Sequence, residues 1–243
     1  KMDKEGLDYD TVLKEAQAMG YAERNPSADV DGYDSGRKVA ILTSLAYGKQ
    51  VDFEDIPVEG ISKITKEDME YARSLDATIK LIGESKKDNG VVYARVAPVM
   101  LSRSQPLHSV EDVFNAVLIK GNMVDDVMFY GRGAGKLPTA SAVVADIIAI
   151  AKNKHGNVAF GWGENKQEVV DMQETRHRYF VRFMGRDSEF IEKCKSEFKD
   201  AKEVYLEGKD EFSLITGVLK EKDFLGTLNN LSGVIKYIRT KIV

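Results

Sequence analysis

Cysteine is nearly absent. Cys194 stands alone in 243 residues, so no disulfide can close within the chain and no cysteine-rich metal site is possible. A reducing, cytoplasmic setting fits that usage. Histidine is scarce too. His108, His155 and His177 lie in separate segments, without HExxH or any paired-ligand spacing, so no metal centre is expected. No apolar run reaches the about 18 residues that a membrane-spanning helix needs. No signal peptide is recognisable, and the first residue is not methionine. The chain opens KMDKEGLDYDTVLKEAQAMG, already in helical rhythm, as the interior of a longer protein does. Neither charge sign dominates: the net charge is -4 and the pI near 5.6. That argues against nucleic acid as the main partner, which would favour a basic stripe, but is compatible with small anionic ligands.

What is present is ordinary globular material, 43% hydrophobic and 30% charged, long enough for one large or two ordinary domains. Helical spacing predicts helices over Tyr9–Met19, Tyr33–Tyr47, Ile64–Leu75 and Leu137–Lys152. The third opens with Thr65-x-x-Asp68, a capping box, and the fourth carries Pro138 in its first turn. Strand signals cover Thr78–Gly83 and Val91–Met100, joined by a loop ending in Asn89-Gly90. A second pair, Val113–Lys120 and Asp126–Tyr130, flanks Gly121-Asn122-Met123. The expected class is α+β, an antiparallel or mixed sheet with helices on one face.

Residues 155–175, with three glycines and mixed charges, read as a linker. Beyond it, strand signals at Arg178–Met184, Ala201–Glu207, Glu211–Val218 and Gly233–Lys241 alternate with helices Ser188–Phe198 and Glu221–Leu231. They spell βαββαβ, the ferredoxin-like split pattern. The division is therefore 1–154, a linker at 155–175, and a small domain at 176–243. On the helical reading, Cys194 is a packing residue.

Two stretches carry chemistry. Gly20–Lys38 reads GYAERNPSADVDGYDSGRK and packs Glu23, Asp29, Asp31 and Asp34 ahead of Arg37 and Lys38. Asp34 and Lys38, four apart, share one helix face, while Arg37 points elsewhere and is expected to meet surface carboxylates. A carboxylate-rich loop feeding an apolar helix is a place to bind a zwitterion. The same residues also suit a solvated helix start, and Asp31 suits a turn. The second stretch is Gly131-Arg132-Gly133-Ala134-Gly135, between a strand and a helix, where backbone N–H groups can hold an anion. It meets neither GxGxxG, because position 136 is Lys136, nor the P-loop, because positions 130 and 137 are Tyr130 and Leu137. A plain tight turn is the other reading, and Lys136 suits either a phosphate contact or solvent.

The wording of both stretches resembles homoserine dehydrogenases. The first matches the family's substrate loop and catalytic helix, G-Y-A-E-x-x-P-x-x-D-V-x-G-x-D-x-x-x-K. The second block, VMFYGRGAGKLPTASAVVADI over Val127–Ile147, resembles its glycine-rich closing segment. The resemblance runs from about Lys1 to Lys152. It implies interconversion of L-homoserine and L-aspartate 4-semialdehyde with NADP or NAD, in the synthesis of threonine, methionine and isoleucine. It implies Lys38 as the group beside the reacting oxygen, partly desolvated so that it can titrate as arginine cannot. Asp34 would hold Lys38 and contact substrate, and Glu23 with Asp29 would take the substrate ammonium. Gly20, Gly135 and Thr139 are implied as cofactor contacts.

The N-terminal βαβ unit that holds the dinucleotide in such enzymes has no counterpart in this sequence, so the chain alone is expected to turn over poorly. The tail resembles an ACT regulatory module, which implies an amino-acid effector such as threonine. The module's usual first turn has Pro-Gly after an acidic residue; here it is Gly185-Arg186-Asp187-Ser188-Glu189, without proline. The rival reading is a non-catalytic amino-acid-binding or assembly fragment. A one-layer sheet leaves apolar area in water, so a homodimer is expected, with Val91, Tyr93 and Val117 as candidate contacts.

Overall fold

The computed structural model describes residues 1–153, 156, 161–170 and 172–242. Short helix α1 (Met2–Glu5) precedes α2 (Tyr9–Ala18), the single turn α3 (Ser27–Val30) and α4 (Tyr33–Tyr47). Strand β1 (Lys49–Gln50), helix α5 (Lys66–Ser74) and the long strands β2 (Ala77–Asp88) and β3 (Val91–Ser102) follow. Next come β4 (Phe114–Gly121), β5 (Asp125–Arg132) and α6 (Lys136–Lys152). The remainder is β6 (Gly163–Lys166), β7 (Val169–Val170), β8 (Arg176–Met184), α7 (Ser188–Glu197), β9 (Lys202–Val204), β10 (Glu211–Ile215), β11 (Leu219–Lys220), α8 (Glu221–Leu228) and β12 (Val234–Thr240).

Local chemistry explains the boundaries. The capping box of α5 is complete: Thr65 N–H donates to Asp68 Oδ2 (2.9 Å) and Asp68 N–H to Thr65 Oγ1 (3.3 Å). Asn89 (φ 49°) and Gly90 (φ 84°) are both left-handed, as a two-residue hairpin turn requires. That turn lets β2 and β3 pair along their whole length, from Ala77 opposite Ser102 to Asp88 opposite Val91. Asp187 caps α7 by accepting from Phe190 N–H at 2.9 Å.

The other edge of β3 receives three short segments, all parallel to it. Val169–Val170 pair with Val92–Tyr93, Val58 with Val96, and Arg239–Thr240 with Val99–Met100. The sheet then runs on through β12, β8, β10 and β9, all antiparallel. Two features differ from the sequence reading. The stretch expected to be a bare linker contributes β6, which pairs with β1, and β7, which pairs with β3. One sheet also runs across that boundary, through the two-residue pairing of β12 with β3.

Side-chain alternation sorts the helices into two layers. On one face, α4 packs Val39 and Ala40 against Ala94 and Val96, and α5 packs Met69 and Ala72 with Ile79, Met100, Phe180 and Ile238. On the other, Ile191, Cys194, Phe224 and Leu228 of α7 and α8 bury against Tyr179, Val181, Phe183 and Leu214. The second cluster confirms Cys194 as packing material; burial pushes its thiol up to about 11.

The β4–β5 hairpin and α6 behave differently. Every residue of β5 is exposed, and so are Val143, Val144, Ile147, Ile148 and Ile150 of α6. A helix this apolar leaves an apolar face uncovered in this chain (Ile147 is 58% exposed). Among the described residues, no helix is long and apolar enough to cross a membrane.

Candidate active site

The carboxylate-rich stretch is a chain of tight turns. Gly20 (φ 75°) ends α2, its N–H donating to Gln17 O at 3.0 Å. Gln17 Nε2 then donates to Glu23 O at 2.8 Å and folds the loop back on the helix. Pro26 leads into α3, which places Asp29 in its first turn, and Gly32 (φ 83°) starts α4. Asp31 Oδ1 accepts from Ser62 Oγ at 3.4 Å.

Asp34 and Lys38 meet as expected. Lys38 Nζ lies 2.6 Å from Asp34 Oδ2, one turn apart on α4. Their side chains are 67% and 45% exposed respectively, which corrects the expectation of a partly desolvated lysine. Such an open pair stabilises by only about 0.3–0.5 kcal/mol, too little to account for it as a structural device. Glu23 and Asp29 make no ion pair among the described residues. Arg37 also differs from expectation: its guanidinium lies 5.1 Å from the Phe53 ring centroid rather than on a carboxylate.

Close approaches seat this region on the sheet. A Cβ at Gly83 would stand 2.4 Å from Val39 Cγ2, so only glycine lets α4 lie down on β2 there. A Cβ at Gly36 would meet the Phe53 ring at 2.6 Å.

The glycine-rich segment caps α6. Gly135 adopts φ 115° and ψ 157°, and Thr139 N–H donates to Gly135 O at 3.1 Å. Only Pro138 ring carbons come within 4 Å of a Cβ built there. Among the described residues, no hydrogen bond or ion pair joins Gly133–Thr139 to Gly20–Lys38.

The strongest electrostatics lie elsewhere, where the tail meets β3. Arg95 donates to Glu221 (3.0 Å) and Glu84 (3.3 Å), and its Nη2 lies 3.0 Å from His177 Nε2. Arg239 grips Glu221 through Nε (2.9 Å) and Nη2, and donates to Glu59 at 2.9 Å. Burial, with the Arg95 charge beside it, pushes His177 down to about 3, so it is neutral. Burial raises the Glu221 carboxyl, but Arg239 and Arg95 outweigh that and hold it below the ordinary range. On the opposite face Arg182 joins Asp68 of α5 to Glu211 of β10. In the sequence, these residues look like surface charges. Their only sequence trace is position: Arg95 interrupts the apolar run of β3, and Arg182 that of β8. Among the described residues, no cluster of His, Cys, Asp and Glu could hold a metal ion. His155 lies outside the described residues.

Comparison with known proteins agrees with this architecture. Residues 1–148 match the sequence family described as homoserine dehydrogenase. The chain is 37% identical over 247 residues to the homoserine dehydrogenase of Bacillus subtilis, covering 96% of this chain and 57% of that protein. The Synechocystis sp. homoserine dehydrogenase is 48% identical over 154 residues, 62% of this chain and 36% of the relative. A solved homoserine dehydrogenase from Thiobacillus denitrificans superposes with a TM-score of 0.86 at 31% identity, covering 99% of this chain and 60% of that one. The chain thus spans little more than half the length of such relatives.

Proposed function

The chain belongs to the homoserine dehydrogenase family, and we propose that it carries the substrate-handling part of an NAD(P)-dependent enzyme that interconverts L-aspartate 4-semialdehyde and L-homoserine. The observation that carries this reading is the exposed Asp34–Lys38 pair, at 2.6 Å, on the helix that follows the Glu23 and Asp29 carboxylates in the chain. An amino-acid substrate brings an ammonium group, and those carboxylates, with Asp34, suit it. When bound, the nicotinamide gives or takes the hydride. As the aldehyde oxygen gains negative charge, Lys38 stabilises it and delivers its proton; Asp34 holds Lys38 in place and contacts the substrate, and Glu23 with Asp29 takes the ammonium.

The cofactor-facing residues fit in part. The bare backbone around Gly135 and the exposed first turn of a 17-residue helix offer amide donors, with Thr139 one turn on. We place Gly135 and Thr139 against the cofactor, with Gly20 at the opposite edge. Lys38 and Asp34 are exposed here, and covering them is a task for other parts of the full-length protein, whose closure would strengthen the charge stabilisation.

The C-terminal segment is the regulatory part in this reading. Strand order β12-β8-β10-β9 with α7 and α8 on one face supports an ACT-like unit and an amino-acid effector such as threonine. The exposed apolar faces of β4–β5 and α6 support a homodimer, and the single cysteine, Cys194, suits the cytoplasm. Val117 is exposed as expected of a contact, whereas Val91 and Tyr93 are half-buried because β7 pairs alongside them.

The test is turnover of the full-length protein. Loss of reduced-cofactor absorbance on adding aspartate 4-semialdehyde is expected. No turnover with either cofactor would overturn the reading and leave a binding or assembly role.

A further inference from the structure

Glu59, Gly60 and Ile61 touch three parts of the molecule in succession. Pro57–Glu59 forms a strand-like rung on β3, with Val96 N–H donating to Pro57 O (2.9 Å) and Glu59 N–H to Val96 O (2.8 Å). The rung sits between β7 and β12 along the same edge. From β12, Arg239 reaches out of its buried pairing with Glu221 to donate Nη1 to Glu59 Oε2 at 2.9 Å. The two meet at the rim of a cleft of about 290 Å³ that Arg95, Glu221 and Leu225 also line.

The next residue faces the other way. A Cβ at Gly60 would lie 2.4 Å from Val30 O and 2.5 Å from Asp31 Cα. These are backbone atoms and cannot swing aside as a side chain can. Gly60 is not in a left-handed conformation, so the requirement is purely one of space. Ile61 N–H then donates to Val30 O at 2.7 Å, closing the contact between the two backbones. Val58 supports it from beside: a Cβ at Gly32 would be 3.0 Å from Val58 Cγ1, and one at Gly36 3.1 Å from Val58 Cγ2.

We propose that Glu59–Ile61 is a positioning strut, through which the C-terminal segment sets the height of the Asp29–Gly32 turn over the sheet. Arg239 acts on the strut through Glu59, and Gly60 passes the position on to the turn as backbone contact. Neither touches substrate. The strut rests on the proposed function only for its effect on turnover; its mechanical part stands on contacts alone.

The test uses the full-length protein and two readouts, amide hydrogen exchange of residues 27–32 without substrate and steady-state kinetics. Gly60→Ala is expected to speed exchange in 27–32 and to raise KM for homoserine on the order of tenfold, because small misplacements of a binding group are costly. KM for the cofactor is expected to stay within about twofold, as is the effect of the control Gly226→Ala, which has open space for a methyl. Glu59→Gln, at a half-exposed site, is expected to move both readouts in the same direction by about twofold to threefold, as loss of an ion pair of modest worth implies. Glu59→Asp, with the charge restored, is expected to recover part of it. If Gly60→Ala fails to fold, Glu59→Gln carries the test. Unchanged exchange and unchanged KM in Glu59→Gln would overturn the strut. Faster exchange in both variants of a wild type that lacks turnover would support the strut while overturning the proposed function.

Discussion

Arg95 on β3 and Glu221 at the start of α8 meet at 3.0 Å although they are 126 positions apart in the chain. Both are buried, so neither charge can turn to water when the other is removed. Glu221→Gln is expected to destabilise the protein by about 3–5 kcal/mol, the usual penalty for leaving a buried charge unpaired. Arg95→Met in the Glu221→Gln background is expected to cost much less than the two single losses combined, because no unpaired Arg95 remains. Denaturant unfolding of the four proteins of that cycle measures the coupling. Additive losses would mean the pair is replaceable by its neighbours, Glu84 and Arg239.

The same cluster gives stability a pH dependence of known sign. His177 faces Arg95 from β3, Glu84 from β2, Glu221 from α8, Lys241 just after β12 and the Thr175 hydroxyl (2.7 Å). Its value falls from an ordinary 6.5 unfolded to about 3 folded. Below 6.5 the unfolded chain therefore binds a proton that the folded protein refuses, and stability drops as pH falls. Glu84 and Glu221 are also lowered, from 4.5, so their contribution is lost only below that value. Between pH 6.5 and 4.5 the loss belongs to His177. Thermal melting across that window is expected to show a falling midpoint in wild type and a flatter one in His177→Gln. Equal slopes would assign the effect to other groups.

How far the fold was legible depends on whether its signal is local. The bounds of helix α4 were readable, because Gly32 and Gly48 frame it; its face was read only in part, since spacing puts Ala40, Ile41, Ser44 and Leu45 inward, whereas Val39, Ala40, Thr43 and Ser44 are buried and Ile41 and Leu45 are exposed. The β2–β3 hairpin was readable from Asn89-Gly90, although the strands run on through Lys86–Asp88, whose polar side chains point into solvent rather than breaking the ladder. The joining of β12 to β3 was not. That pairing is parallel and only two residues long, and nothing near Arg239 or Val99 in the chain marks its partner. For the same reason nothing in the sequence singles out Arg95, Arg182, Glu221 and His177, whose partners lie on other elements of the sheet and its helices. In the site, the Asp34–Lys38 pair follows from helical spacing, whereas its exposure, and the stacking of Arg37 on Phe53, depend on packing that no spacing encodes.

Close packing of α4 on β2 makes a second prediction about stability. Gly83→Ala puts a methyl 2.4 Å from Val39 Cγ2, inside contact distance. Overpacking of this kind costs about 1–3 kcal/mol. Val39→Ala removes the opposing methyl groups, so the double variant is expected to be more stable than the sum of its parts. Denaturant midpoints of the two single variants and the double decide it. Strict additivity would mean that the helix shifts as a body instead of clashing at Val39.

Lys38 gives the sharpest separation between stability and chemistry. Its side chain is 67% exposed and, among the described residues, its only ion pair is with Asp34. Lys38→Ala is therefore expected to change the melting midpoint little, since exposed pairs contribute at most about 1 kcal/mol. If Lys38 delivers the proton, turnover of aspartate 4-semialdehyde by the full-length protein falls by about 10²–10⁴, the range general acid catalysis supplies. Lys38→Arg separates charge from proton delivery. Arginine keeps the positive charge but holds its proton, so it is expected to bind substrate with near-normal KM while kcat stays low. Recovery of kcat in Lys38→Arg would reduce the role of this residue to charge stabilisation, and the proton would have to come from solvent or another group.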